Sequence, residues 1–138
     1  MNFKNIDQVD INYFIEVIGE RFVLLDDDSL DSYSHDETED LKYLPEVVLK
    51  PIKTKDVSLI LSYCDKNRIS VTVCGARTGL SGGSLPVCGG IALSMERFDK
   101  ILKIDEANLQ ATVEPGVINQ VFQDSVKERG LFYPPDPA

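Results

Sequence analysis

The passage that most constrains this chain is residues 69–84, ISVTVCGARTGLSGGS, in which a run of branched and apolar residues empties into a loop carrying four glycines between positions 75 and 83. Branched residues fit the pleated surface of a strand, whereas a loop almost without side-chain bulk ends one. Upstream, residues 47–49 read as a second short strand, bounded by Pro45 and Pro51, since proline is tolerated only at strand limits. Between the two, Thr54 is suited to an N-cap, and Val57, Ile60, Leu61 and Cys64 recur at i, i+3, i+4 and i+7 before the polar run Asp65 to Arg68. A strand, a helix and a strand within about thirty residues have the size of one βαβ unit, so a parallel pairing is predicted.

The flanking segments extend this core in two directions. Ile11, Phe14, Ile15 and Ile18 share one face of a helix that ends near Gly19. Residues 26–46 are mostly acidic and polar without a period, and read as an extended, solvated arm. After the loop, residues 91–95 form another apolar run. Residues 100–104 and 109–113 then alternate on either side of a turn at 105–108, as an antiparallel hairpin does. A last helix follows, with Ile118, Val121, Phe122 and Val126 on one face and Gly130 as its stop. The chain ends in the proline-rich LFYPPDPA, where no further element closes a sheet, and this predicts truncation of a longer protein. The expected fold class is α+β, with residues 1–45 forming a helix and arm and residues 46–138 the body.

Composition removes several classes of function. A formal charge of −9 and a pI near 4.5 leave no extended basic face, so nucleic acid is not an expected partner. No run approaches the roughly 20 apolar residues of a membrane span, and the start MNFKNIDQVD lacks the basic flank and apolar run of a signal peptide, so a cytoplasmic chain is expected. Cys64, Cys74 and Cys88 have no CxxC spacing and read as small apolar side chains in a reducing compartment. His35 is the single histidine, and no metal site is expected.

The loop itself carries the chemistry. Gly75, Ala76, Arg77, Thr78, Gly79, Leu80, Ser81 and Gly82 offer a backbone whose N–H groups can turn inward into an anion-binding nest, and glycine lets a phosphate approach the main chain. Thr78, Ser81 and Ser84 add hydroxyls. Arg77, the one full positive charge of the loop, has two readings: toward a ligand or toward the carboxylates of the arm. No lysine follows Gly82 or Gly83, and no two glycines of the loop are separated by one residue, so neither the Walker pattern nor GxGxxG is present. On these residues alone, a tight strand connection and a phosphate site remain equal alternatives.

Five ordered stretches tip the balance: PEVVLKP (45–51), the loop passage with its flanks (69–86), GGIALSMERFDKI (89–101), ATVEPGV (111–117) and GLFYPPDPA (130–138). Together they closely resemble the FAD-linked oxidase family, whose flavin domain is called PCMH-type and which includes vanillyl-alcohol oxidase. The arm YSHDETE (33–39) resembles the subgroup of the glycolate oxidase D subunit and the D-lactate dehydrogenases. The resemblance implies the amino-terminal part of a PCMH-type FAD-binding domain: a small parallel subdomain with helices, then the start of an antiparallel one, with FAD between them.

It further implies that the stretch from Gly75 to Gly82 wraps the pyrophosphate and that Pro134, Pro135 and Asp136 run close to the flavin. Relatives that tether the flavin covalently use a histidine in this loop, and positions 74–84 contain none, so non-covalent FAD is expected. The later segments of the family, which complete the flavin and substrate sites, are not in this sequence, and no residue is expected to be catalytic. The implied parent enzyme oxidises a small 2-hydroxy acid such as glycolate or D-lactate. The alternative is that the chain alone is inactive and acts as a nucleotide- or phosphate-binding or interaction module, with self-association into a homodimer as one outcome.

Overall fold

The computed structural model describes residues 3–38 and 40–135. The chain divides into two compact units, residues 1–97 and 98–138.

The first unit is a four-stranded sheet with helices. Helix α1 (Gln8–Ile18) starts where Asp7 and Asp10 cap reciprocally: the Asp7 carboxylate accepts from the N–H groups of Val9 and Asp10, and Asp10 Oδ2 accepts from Asp7 N. A 3₁₀ turn (Glu20–Phe22) leads to β1 (Val23–Leu24), followed by α2 (Asp27–Ser32), β2 (Val47–Leu49), α3 (Thr54–Asn67), β3 (Val71–Cys74) and β4 (Ile91–Ser94). The strand order is β1-β2-β4-β3, with β1 antiparallel to β2 and both β2 and β3 parallel to β4. The two strands of the expected βαβ unit are therefore parallel but not neighbours, because β4 inserts between them.

Alternation along the strands sends side chains to both faces of this sheet. Val47, Leu49, Ile91 and Leu93 join Phe14 of α1 and Ile60 and Cys64 of α3 in one core cluster, while Val48, Cys74 and Ala92 meet Tyr33 in a second. A fully buried side chain such as Phe14 or Leu93 stabilises by about 1.5–3 kcal/mol, so the first cluster dominates the stability of the unit. Leu61, placed on the buried stripe by its spacing, is instead exposed. Lys53 rather than Thr54 is the N-cap of α3, since Lys53 is the last extended residue and Thr54 is already helical.

The arm also departs from expectation. Residues 27–32 form the helix α2, capped by Asp26 through the Ser29 N–H, and beyond it Tyr33, Ser34 and Asp36 are buried. A six-residue helix carries too few positions to display an apolar period, which is why the segment read as irregular.

One close approach fixes the start of β4. Gly90 has φ of +70°, and a Cβ there would lie 2.3 Å from the Ser70 carbonyl oxygen. Its N–H and that of Ile6 both donate to the Glu46 carboxylate, at 3.0 and 2.8 Å.

The second unit consists of the antiparallel hairpin β5 (Ile101–Asp105) and β6 (Gln110–Val113), followed by α4 (Asn119–Lys127). Asp105 braces the hairpin turn by accepting from the Asn108 N–H. Of the apolar face expected on α4, Val126 is buried and Phe122 half-buried, whereas Ile118 and Val121 are exposed. No helix among the described residues is long and apolar enough to cross a membrane.

Candidate functional site

Parallel strands β3 and β4 end side by side, and the glycine-rich loop leaves from the carboxyl end of β3. This is the end at which parallel sheets present loops to ligands. The last ladder bond runs from Met95 N to the Cys74 carbonyl, at 2.9 Å. Beyond it the loop is irregular, and Ala76, Thr78, Gly79, Leu80 and Ser81 are exposed while Gly75, Arg77 and Gly82 are partly covered.

Two observations describe what this loop offers. Among the described residues, the main-chain N–H groups of residues 75–81 have no intramolecular acceptor. Gly75 and Gly79, moreover, have no positive φ, and a Cβ built on either would meet no atom within 4 Å. The packing of this chain therefore gives no reason for glycine at either position. Arg77, by contrast, adopts the left-handed conformation at φ of +59°, one of the two hands that alternate in an anion-binding nest.

Among the described residues Arg77 forms no ion pair with a carboxylate of the arm; its guanidinium lies over the Tyr33 ring, 4.0 Å from its centroid. A cation over an aromatic face is held by the ring quadrupole and keeps its donors at the rim free. Tyr33 is itself anchored at the end of β4, where its hydroxyl donates to Glu96 Oε2 at 2.6 Å and lies 3.0 Å from the Ser94 hydroxyl. Lys50, from the residue after β2, pairs with Glu96 Oε1 at 2.7 Å. Burial would raise the Glu96 carboxyl, but Lys50, Tyr33 and Ser94 together outweigh it and hold the group below the usual carboxylate range.

The other end of the loop is tied to the same arm. Gly82 N donates to the Thr38 hydroxyl at 2.7 Å, and Thr38 N donates to Asp36 Oδ1 at 2.9 Å. Hydrogen bonds from Thr38 hold the Asp36 carboxyl below its ordinary value. Asp36 Oδ2 is buried without a hydrogen-bond partner among the described residues; the Ser84 N–H adds to the lowering without meeting hydrogen-bond geometry. Under the loop, burial pushes the Cys74 thiol up to about 11, with Arg77 pulling it down and Asp36 raising it further.

Sequence reasoning passed over Tyr33, Asp36 and Thr38 as loop supports, since a polar arm without periodicity reads as solvated; the only signal on them was the likeness of YSHDETE to a family stretch. His35 and Glu37, on either side of Asp36, are exposed, and Glu39 lies outside the described residues.

Pro134 and Pro135 belong to the second unit, and Asp136 lies outside the described residues. The Pro135 carbonyl accepts from Asn119 Nδ2 and Gln123 Nε2, each at 3.1 Å, which fastens the terminal stretch to α4. The same unit contains a groove of about 500 Å³ lined by Ile104, Leu109, Val113, Phe122, Val126 and Leu131 among others. Its lining is mostly apolar and carries no charged side chain, whereas the loop presents main-chain N–H groups without an intramolecular acceptor among the described residues.

Known proteins resemble this chain over most of its length. A family model described as "FAD binding domain" matches residues 45–138. Glycolate oxidase subunit GlcD of Bacillus subtilis is 42% identical over 106 residues, covering 77% of this chain and 23% of that protein. D-lactate dehydrogenase of Anaerostipes hadrus is 39% identical over 130 residues, covering 93% of this chain and 27% of that one. Among solved structures, p-cresol methylhydroxylase with substrate bound superposes with a TM-score of 0.80 at 24% identity, covering 94% of this chain and 27% of that chain, a likeness of fold. The chain thus spans about a quarter of the length of these curated relatives.

Proposed function

The chain belongs to the FAD binding domain family, with FAD as its cofactor, and from that premise we propose that the loop from Gly75 to Gly82 holds the FAD pyrophosphate by its main chain, within an oxidoreductase of small 2-hydroxy acids. The observation that carries this reading is the coincidence, in residues 75–81, of unpartnered N–H groups with glycines whose missing Cβ atoms border open space. A doubly charged diphosphate needs several donors converging at short range, and a backbone without Cβ atoms lets it come close enough to accept them.

The residues divide the work. Gly75, Ala76, Thr78, Gly79, Leu80 and Ser81 supply N–H donors, with the hydroxyls of Thr78 and Ser81 in addition. Arg77, stacked on Tyr33, offers a positive charge from the rim of the site. Gly82 acts through its turn, because its N–H is taken by Thr38. Pro134, Pro135 and Asp136 are proposed as further cofactor-binding positions on the family resemblance alone. The cofactor is held without a covalent bond, there being no histidine at positions 74–84.

Bound FAD would supply the two-electron redox chemistry needed to oxidise a 2-hydroxy acid to the corresponding 2-oxo acid. The part of this chain in that chemistry is to bind and orient; no catalytic residue is assigned within it. The substrate class rests on the glycolate oxidase and D-lactate dehydrogenase relatives. By itself the chain is expected to be catalytically inactive and to bind FAD more weakly than the full enzyme, since only part of the flavin contacts are present.

The test is Gly79→Asp in the full-length protein. A carboxylate pointed into the cradle is expected to lower FAD affinity on the order of a hundredfold, about 2.7 kcal/mol, with loss of the yellow colour on purification. The melting temperature of the apoprotein should stay near that of the parent, because nothing packs against that position. A folded but colourless parent protein, or a Gly79→Asp variant that keeps its flavin, would overturn the reading.

A further inference from the structure

The loop is not self-supporting: its two ends rest on one six-residue stretch that lies some forty positions earlier in the chain. At one end the Arg77 guanidinium sits on the Tyr33 ring, and at the other the Gly82 N–H is fixed by the Thr38 hydroxyl. The stretch is itself immobilised. Tyr33 is buried and bonded to Ser94 and Glu96 at the end of β4, and Asp36 is buried and accepts from the Thr38 N–H, which ties the main chain at Thr38. Residues 78–81 therefore span the gap between two pins, with their N–H groups free.

We propose that residues 33–38 are the positioning platform of the glycine-rich loop, with Thr38 as its key positioning residue: the hydroxyl holds the Gly82 turn and so pre-forms the anion cradle before any ligand arrives. This rests on the pyrophosphate reading above and adds to it residues that touch no ligand. A loop of small residues loses much conformational freedom on binding, and an element that orders it in advance removes that cost from the binding step. The roles are separable, since Thr38 acts on the loop through one hydrogen bond and Asp36 acts on Thr38.

The experiment uses the 138-residue chain labelled with ¹⁵N, in the wild-type, Thr38→Val and Thr38→Ser forms. Two readouts are taken: hydrogen exchange at the Gly82 amide without ligand, and the shifts of amides 75–81 on titration with FAD and with inorganic pyrophosphate. Thr38→Val should speed Gly82 exchange at least tenfold and weaken FAD and pyrophosphate alike at least fivefold. Thr38→Ser, which keeps the hydroxyl, should stay within twofold of wild type in both readouts. Unchanged Gly82 exchange in Thr38→Val overturns the platform, as does a Thr38→Ser variant as impaired as Thr38→Val, which would assign the effect to packing of the methyl group. If FAD and pyrophosphate move none of the wild-type amides 75–81, the pyrophosphate reading fails, and Gly82 exchange still decides whether Thr38 holds the loop.

Discussion

The three cysteines occupy environments different enough to predict their reactivity one by one. Cys88 is exposed, while Cys64 and Cys74 are buried. Burial, with a smaller contribution from Asp10, pushes the Cys64 thiol up to about 12, and Cys74 stands at about 11. A thiol reagent at pH 8 should thus label Cys88 alone in the native protein, and all three after denaturation, as counted by mass. The same shifts set a pH dependence. Both folded values lie above the ordinary 9.0, so their contribution is complete below that value and is lost as pH rises toward 11 and 12. The melting temperature should fall across this alkaline window, and less steeply in Cys74→Ala.

At the scale of elements, the start of β4 is where one atom decides most. Gly90→Ala would drive a methyl group against the Ser70 carbonyl in a left-handed backbone, and should destabilise by at least about 1–3 kcal/mol, read as a lower urea midpoint. Elements whose residues repeat with a clear period were legible in the sequence. The face Ile11, Phe14 of α1, the stripe Val57, Ile60, Cys64 of α3 and the β-branched runs of β2 and β3 all correspond to elements of the first unit. The two-residue β1 and the six-residue α2 are shorter than any period and were not visible. Nor does local pattern reveal that β4 enters between β2 and β3, since strand order is decided by packing on both faces. The composition of the loop was plain from its glycines. Its support was hidden, because Gly82 and Thr38 are 44 positions apart and no periodicity links them.

For the molecule as a whole, apolar burial is unequally shared. The first unit has Phe14, Leu49, Ile60, Ile91 and Leu93 almost wholly buried. In the second, Phe98 and Val126 alone are buried among the described residues, and β6 is exposed along its length. Hydrogen exchange should accordingly find the amides of β2 and β4 the slowest in the chain and those of the β5–β6 hairpin at least a hundredfold faster, on the order of 2.7 kcal/mol or more in opening free energy; equal protection in the two would contradict this distribution. The empty space beside the alpha carbons of Gly75 and Gly79 has an outcome at the same scale. Substitutions there are invisible to the folded chain, so a library screened for cellular abundance should accept many side chains at both sites, whereas one screened for flavin retention should reject nearly all of them. Few other positions in the first unit would separate those two traits so cleanly.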